Sequence, residues 1–130
     1  MSKDENLPEA TGFYSPALRI GDWIYVSGQG PIDGCGNIVE GDIESEVHLT
    51  LSNIRRLVEA AGGEIGSVVK CTCYLADIAD FDAFDVIYQD FFKHAAIPPV
   101  RTTIAAALDG IKIEIDAVAY VGAEVPHVFR

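Results

Sequence analysis

One short apolar segment lies between two helical patterns, and this arrangement constrains the fold more than any other feature of the chain. The segment at 68–76 reads VVKCTCYLA, which is typical of a strand. A strand with a helix on either side requires crossover connections, and crossovers join parallel strands. The order of elements therefore predicts an α+β fold whose sheet is mixed, with both helices packed on one of its faces.

Both helical patterns have recognisable starts and ends. The first follows Asp42 and Ser45, either of which is a candidate N-cap, and it stops at Gly62-Gly63. Its apolar residues recur at spacings of four and three: Val47, Leu51, Ile54, Val58 and Ala61. The second starts at Asp80. Its apolar stripe consists of Phe81, Phe84, Ile87 or Tyr88, and Phe91. Glu46, near the start of the first helix, is interpreted as surface charge.

Turn residues delimit the remaining strands. These strands are expected at 17–20, 23–27, 101–107 and 111–121, with a short one at 38–39. The first two form a hairpin across Gly21-Asp22, and the last two are joined by a tight turn at Asp109-Gly110. The complete order is ββ(β)αβαββ.

The strands are apolar on both faces, whereas the helices are amphipathic. With 49% hydrophobic residues and a mean hydropathy of +0.21, the chain has more apolar side chains than one core of this size needs. We expect a single domain over 1–130, in which 1–11 form a loose leader. The second sheet face then needs a cover that one chain does not supply, which predicts an oligomer.

Charge and cysteine content exclude several classes of partner. The net charge of −11 argues against a broad nucleic-acid surface, which requires clustered lysine and arginine. No apolar run approaches the roughly 20 residues that a membrane span needs. Cys35, Cys71 and Cys73 fit neither a disulfide framework nor a metal site. The last two share a strand face and are interpreted as small core residues. We expect a cytoplasmic protein with reduced thiols, no metal and no cofactor.

An arginine and a glutamate in the last two strands indicate a binding site. Pro98-Pro99 restrict the backbone where Arg101 enters an apolar strand, and Glu114 lies within the next one. The pair suggests a pocket for a small carboxylated molecule. The alternative is a structural salt bridge between Arg101 and either Glu114 or Asp116.

An ordered set of short motifs resembles the Rid family, also called YjgF, whose members hydrolyse reactive enamines and imines. The likeness covers roughly residues 12–121. Its carriers are Gly12-Phe13-Tyr14-Ser15-Pro16-Ala17, Tyr25-Val26-Ser27-Gly28-Gln29, Asn53-Ile54, Glu59-Ala60-Ala61-Gly62, Val69-Lys70, Asp80-Phe81, Tyr88, Phe91-Phe92, Pro99-Val100-Arg101 and Ile113-Glu114-Ile115. The resemblance implies a chorismate-mutase-like trimer with sites at the clefts between subunits.

The resemblance also implies the roles of the site residues. Arg101 matches a carboxylate-binding arginine, and Glu114 matches the carboxylate associated with the hydrolytic water. Tyr14 and Ser27 match residues that line the pocket, and Gly28 presents a backbone amide to the ligand. The implied reaction is hydrolysis of 2-enamine or 2-imine acids to 2-keto acids and ammonia.

Three positions and the length of one segment depart from the family pattern. Gly30 stands where members have a larger apolar residue, and the segment from Arg101 to Glu114 is about two residues shorter than usual. Asp85, also placed at the pocket, stands where many active members have asparagine, and Thr103 stands where many have cysteine. The alternative function is a non-catalytic module that binds a small carboxylate or a partner protein. The ribonuclease activity attached to older family names suits an acidic chain poorly.

Overall fold

The computed structural model describes residues 7–130. Its elements are strand β1 (Ala17–Ile20), strand β2 (Trp23–Gln29), helix α1 (Ile43–Ala60), strand β3 (Val68–Leu75), helix α2 (Phe81–Phe92), strand β4 (Val100–Ala105) and strand β5 (Ile113–Tyr120). Short 3-10 turns precede β3 and α2. The element types and their order agree with the sequence predictions, except that the segment near Ile38 makes only an isolated bridge to Ile32.

The strands form one five-stranded sheet in the order β1-β2-β5-β3-β4. Strands β3 and β4 pair in parallel and the other neighbours are antiparallel, which confirms the predicted mixed sheet. The predicted hairpin between the last two strands is wrong, because β3 lies between β4 and β5. Cys73 pairs with Thr103 on one side and with Ile115 on the other. The turn at Gly110 has a φ of 78°, and its chain passes over the end of β3 instead of closing a hairpin.

Helix α1 has the predicted boundaries. Asp42 is the N-cap, and its carboxylate accepts a hydrogen bond of 2.8 Å from the Ser45 backbone N–H. Gly62 follows the last turn with a φ of +97°, a conformation that residues with a Cβ rarely adopt. These local signals fix the helix ends.

Glu46 is buried, so its interpretation as surface charge was wrong. Its side chain is 1% exposed and accepts hydrogen bonds from the Lys112 backbone N–H at 2.9 Å and from Lys112 Nζ at 3.2 Å. The Gly41 N–H donates to the same carboxylate at 3.3 Å. Because a buried carboxylate needs such partners, Glu46 ties the start of α1 to the approach of β5.

Both helices cover the same face of the sheet, as predicted. The core between them includes Ile24, Leu51, Phe84 and Ile115, each at most 1% exposed. Cys71 and Cys73 are fully buried there and pack as small apolar side chains.

The opposite face, which we call the open face, is left uncovered by residues 7–130. Residues that pair across neighbouring strands have their side chains on the same face, so the register of the strand pairs shows which side chains lie on the open face. Its exposed apolar residues are Leu18, Ile20, Trp23, Tyr25, Val100 and Ile104. An exposed apolar patch of this kind marks an interaction surface.

Residues 1–6 of the predicted leader lie outside the described residues. Residues 7–11 form no helix or strand, and Leu7 packs against the core. Within 7–130, neither helix combines the length and the apolar content needed to cross a membrane.

Candidate functional site

The structure places the predicted site residues in two groups on opposite faces of the sheet. Arg101 pairs with the buried Cys71, so its side chain lies on the helix-covered face. Glu114 pairs with Tyr74, one position from the buried Ile115, so it lies on the open face. Two strand spacings, roughly 10 Å, also separate their strands. Arg101 and Glu114 therefore do not meet within one chain.

The first group lines a cleft of about 480 Å³ on the open face. Its lining includes Tyr14, Ser27, Gly28 and Glu114, which are four of the predicted site residues, together with Asp116. Tyr14 comes from the segment before β1, whereas the others come from the neighbouring strands β2 and β5. The sheet thus brings together residues that are about a hundred positions apart in sequence.

The pKa of Glu114 is raised above its ordinary value. Partial burial of the carboxylate is the main cause, and the nearby negative charge of Asp116 adds to it. Asp116 is itself held by a hydrogen bond of 3.1 Å from the Tyr74 hydroxyl. A carboxylate whose pKa is moved toward neutrality is better suited to accept a proton from water.

Gly28 is required by the position of Glu114. The pairing of β2 with β5 shifts register between Val26 and Gln29, so Gly28 lies in an irregularity of the ladder. A Cβ at this position would lie 2.6 Å from Glu114 Oε2, closer than side-chain atoms tolerate. Glycine therefore lets the carboxylate rest directly against the backbone.

Tyr14 and Ser27 hold their hydroxyl groups in local hydrogen bonds. Ser27 Oγ donates to the Ser15 carbonyl at 2.6 Å, and the Ser27 N–H donates to the Pro16 carbonyl at 2.9 Å. The Tyr14 hydroxyl accepts from the Thr11 N–H at 3.3 Å. With its proton committed, the Ser27 oxygen faces the cleft as an acceptor.

The second group centres on Arg101 and Asp85. Arg101 Nη1 lies 2.6 Å from Asp85 Oδ1, and both side chains are 24% exposed. The salt bridge considered from the sequence is therefore not the one formed, because Arg101 pairs with Asp85 and with neither Glu114 nor Asp116. The Arg101 hydrogen bond is the main cause that lowers the pKa of Asp85. Both residues line a groove of about 780 Å³ between α2 and the Pro98-Pro99 segment.

Aromatic side chains of α2 surround the guanidinium. Its central carbon lies 4.7 Å from the ring centre of Tyr88, 5.5 Å from Phe84 and 5.6 Å from Phe81, within the range of cation–π attraction. Thr103 lies on the same strand face as Arg101, and its buried hydroxyl has no hydrogen-bond partner in residues 7–130. The residues around Arg101 therefore fix its side chain, and the Tyr88 hydroxyl, like that of Thr103, has no hydrogen-bond partner in the described part of the chain.

Sequence reasoning missed these neighbours of Arg101. The aromatic residues were recognised only as the apolar stripe of α2, and Gln89, whose amide donates to Asp85 at 2.8 Å, was not singled out. The available signal was the spacing, since Asp85, Tyr88 and Gln89 are three and four positions apart on one helix. The family resemblance placed Asp85 at the pocket of Arg101, but nothing in the sequence indicated that the aromatic stripe of α2 surrounds the guanidinium or that Gln89 holds Asp85.

The mixed five-stranded sheet, the helices on one face and the carboxylate cleft on the other define a class of small α+β proteins. The family model described as Endoribonuclease L-PSP matches residues 4–121. The chain belongs to this family, which is the Rid or YjgF family that its sequence resembles.

Several relatives align over nearly the whole chain. A RutC family protein of Pyrococcus horikoshii is 37% identical over 117 residues, covering 89% of this chain and 93% of the relative. A Salmonella typhimurium protein named 2-iminobutanoate/2-iminopropanoate deaminase is 36% identical over 118 residues, covering 88% and 92%. A crystal structure of Escherichia coli TdcF with bound serine has a TM-score of 0.83 at 30% identity, covering 91% of this chain and 95% of that one.

Proposed function

We propose that this protein hydrolyses 2-imino and 2-enamine acids to 2-keto acids and ammonia, at sites shared between the subunits of a homotrimer. The observation that carries the proposal is the raised pKa of Glu114 in a cleft beside Gly28 and Ser27. A relative 36% identical over 88% of this chain is named as a deaminase of two such imino acids.

The separation of the two residue groups supports a shared site. Arg101 is on the edge strand β4, and Glu114 is on the open face of the same sheet. The exposed apolar residues of that face, Trp23 and Tyr25 among them, favour its cover by a second copy of the chain. A neighbouring subunit that packs there brings its Arg101 to the cleft of Glu114, which completes the site.

The chemistry requires one positioned anion, one water and one base. The Arg101 guanidinium binds the substrate carboxylate and so fixes the plane of C2. Glu114 takes a proton from a water while the water oxygen forms a bond to C2 of the protonated imine, and the electron pair of the C=N double bond passes to nitrogen. The protonated Glu114 then gives its proton to the amino group of the resulting carbinolamine. As the C–N bond breaks, ammonia leaves, Glu114 takes the hydroxyl proton, and the C2 carbonyl forms; Glu114 then releases that proton to solvent. An enamine first takes a proton at C3 and so becomes the protonated imine.

The remaining cleft residues orient this step. The Ser27 oxygen is an acceptor for an N–H of the imine, because its own proton is bonded to the Ser15 carbonyl. The Gly28 amide and the Tyr14 hydroxyl contribute donors at the same wall. Positioned base catalysis of this kind contributes about 10²–10⁴-fold in rate.

Mixing two inactive variants tests the shared site. Arg101→Ala and Glu114→Gln each remove one half of the shared site. Both variants are expected to lose activity toward 2-iminobutanoate, which is generated in the assay in the presence of semicarbazide as a competing trap for the imine. Subunits co-refolded at equal amounts should regain about a quarter of wild-type activity, since one interface in four combines the intact Arg101 of one variant with the intact Glu114 of the other.

Two results would contradict the proposal. No recovery from an assembly shown to contain both variants would place the halves in separate sites. Full activity of Arg101→Ala alone would remove the arginine from the reaction. Light scattering of the wild type provides the matched control, and a mass near three chains is expected.

A non-catalytic binding module is the second candidate. It is favoured by the bound serine of the TdcF relative, which shows that a fold of this kind holds a small carboxylated molecule. Calorimetry with 2-ketobutyrate together with the imine hydrolysis assay separates the candidates: a module binds 2-ketobutyrate without accelerating imine hydrolysis, whereas the enzyme does both. In either case Arg101→Ala is expected to lose the binding.

A further inference from the structure

The charge around Arg101 is balanced by the chain itself. Asp85 Oδ1 accepts from Arg101 at 2.6 Å, and Asp85 Oδ2 accepts from Gln89 at 2.8 Å, so both carboxylate oxygens are engaged. The same groove contains Lys93 and Asp90, which form a second pair at 2.9 Å. The two positive charges of this groove, Arg101 and Lys93, are thus each paired with a carboxylate.

The guanidinium nevertheless retains hydrogen-bonding capacity. It has five N–H donors, and Asp85 accepts from one nitrogen in a single contact. A ligand carboxylate can bind along the remaining edge, but it then lies beside the carboxylate of Asp85. Like charges at such a distance repel each other, and partial exclusion of water strengthens the repulsion.

We propose that Asp85 makes the Arg101 pocket selective for zwitterionic ligands over anionic ones. A cationic nitrogen on C2, next to the ligand carboxylate, offsets the repulsion from Asp85. The protonated imino acid carries that nitrogen and the 2-keto acid lacks it, so Asp85 favours substrate over product and promotes product release. The inference rests on the proposed function in taking Arg101 as the carboxylate-binding residue and in taking the imino acid and the 2-keto acid as substrate and product, whereas the selectivity itself is tested by binding alone.

Two probes of the same carbon skeleton test this selectivity. Calorimetry compares 2-ketobutyrate, an anion, with L-2-aminobutyrate, a zwitterion, on the wild type and on Asp85→Asn. The substitution is expected to lower the dissociation constant of 2-ketobutyrate roughly tenfold, because it removes the repulsion from Asp85, which solvent screens only in part. It should leave L-2-aminobutyrate unchanged or weaker, so the ratio of the two dissociation constants shifts at least tenfold. Asp85→Ser, which also removes the charge, should shift the ratio in the same direction.

Asp82→Asn is the matched control. Asp82 is exposed in the first turn of the same helix, and its replacement changes the net charge equally. The ratio of the two dissociation constants in this variant should stay within about twofold of the wild-type ratio, because solvent and salt screen an exposed charge.

The outcomes separate this proposal from the deaminase proposal. An unchanged ratio in Asp85→Asn, an equal shift in Asp82→Asn, or no binding of either probe to the wild type and Asp85→Asn would overturn the selectivity. A shifted ratio in a protein that does not hydrolyse imines would support the selectivity and reject the enzyme.

Discussion

The two faces of the sheet differ in what completes them. The helix-covered face is closed by the chain itself, with Ile24, Phe84 and Ile115 fully buried. The open face carries side chains of similar size, yet Trp23 and Tyr25 are 43% and 47% exposed. The comparison teaches that apolar composition alone does not define this protein's core. One face stabilises the fold, and the other is available for a second copy.

The same division separates the two groups of candidate site residues. Arg101 lies on the helix-covered face, where Asp85 and the rings of α2 fix its position. Glu114 lies on the open face, where its carboxylate is partly buried and a neighbouring chain would bury it further. The proposed chemistry therefore depends on assembly, and each prediction below tests one side of this comparison.

The largest expected effect is a loss of stability from a substitution on the helix-covered face. Ile24 and Tyr25 are adjacent in β2 and point to opposite faces. Ile24→Ala should lower the free energy of unfolding by about 2–5 kcal/mol, because it leaves a cavity in the core. Urea denaturation measures this change, at a dilution where light scattering gives the mass of one chain.

Tyr25→Ala is the control for that prediction. At the same dilution it should change the free energy of unfolding by less than about 1 kcal/mol, since its side chain is half exposed in the single chain. At higher concentration it should instead reduce the assembled fraction. Equal losses in the diluted variants would mean that the single chain packs both faces alike.

A smaller effect is expected in the cleft of the open face. Gly28→Ala places a Cβ within 2.6 Å of Glu114 Oε2 and must displace the carboxylate. The rate of imine hydrolysis should fall by about 10²-fold, the contribution of a positioned base, with little change in melting temperature. Gly66→Ala is the matched control, since its Cβ would meet Glu64 at an ordinary 3.5 Å. Equal rates for both variants would argue against Glu114 as the base.

The smallest effect concerns pH. Glu114 acts as a base only when ionised, and burial and Asp116 raise its pKa, so activity should be lost below a midpoint that lies above the ordinary 4.5. Asp116→Asn removes the negative charge and keeps an acceptor for Tyr74. Because that charge favours protonated Glu114, its removal should move the acidic limb to lower pH by less than about 1 unit.

The control for the pH profile is Asp109→Asn, an exposed charge in the turn before β5. It should leave the acidic limb in place. A limb that moves to higher pH in Asp116→Asn would contradict the assigned cause.

Much of the fold could be predicted because its signals are local. Asp42 caps α1 and Gly62 ends it as their residue types indicate, and the apolar spacing identified both helices. The predicted hairpin of the last strands failed for a reason that no spacing reveals. A Gly110 turn has the same sequence whether it closes a hairpin or crosses the end of a third strand.

The sequence by itself determined the helices, the strands, the family and the residue types of the site. Only the tertiary structure decided that β3 separates β4 from β5, that Glu46 is buried and that Arg101 pairs with Asp85. Side-chain periodicity depends on neighbouring residues, so it can be read along the chain. Strand order and ion-pair partners depend on how the whole core closes, which brings together residues far apart in sequence.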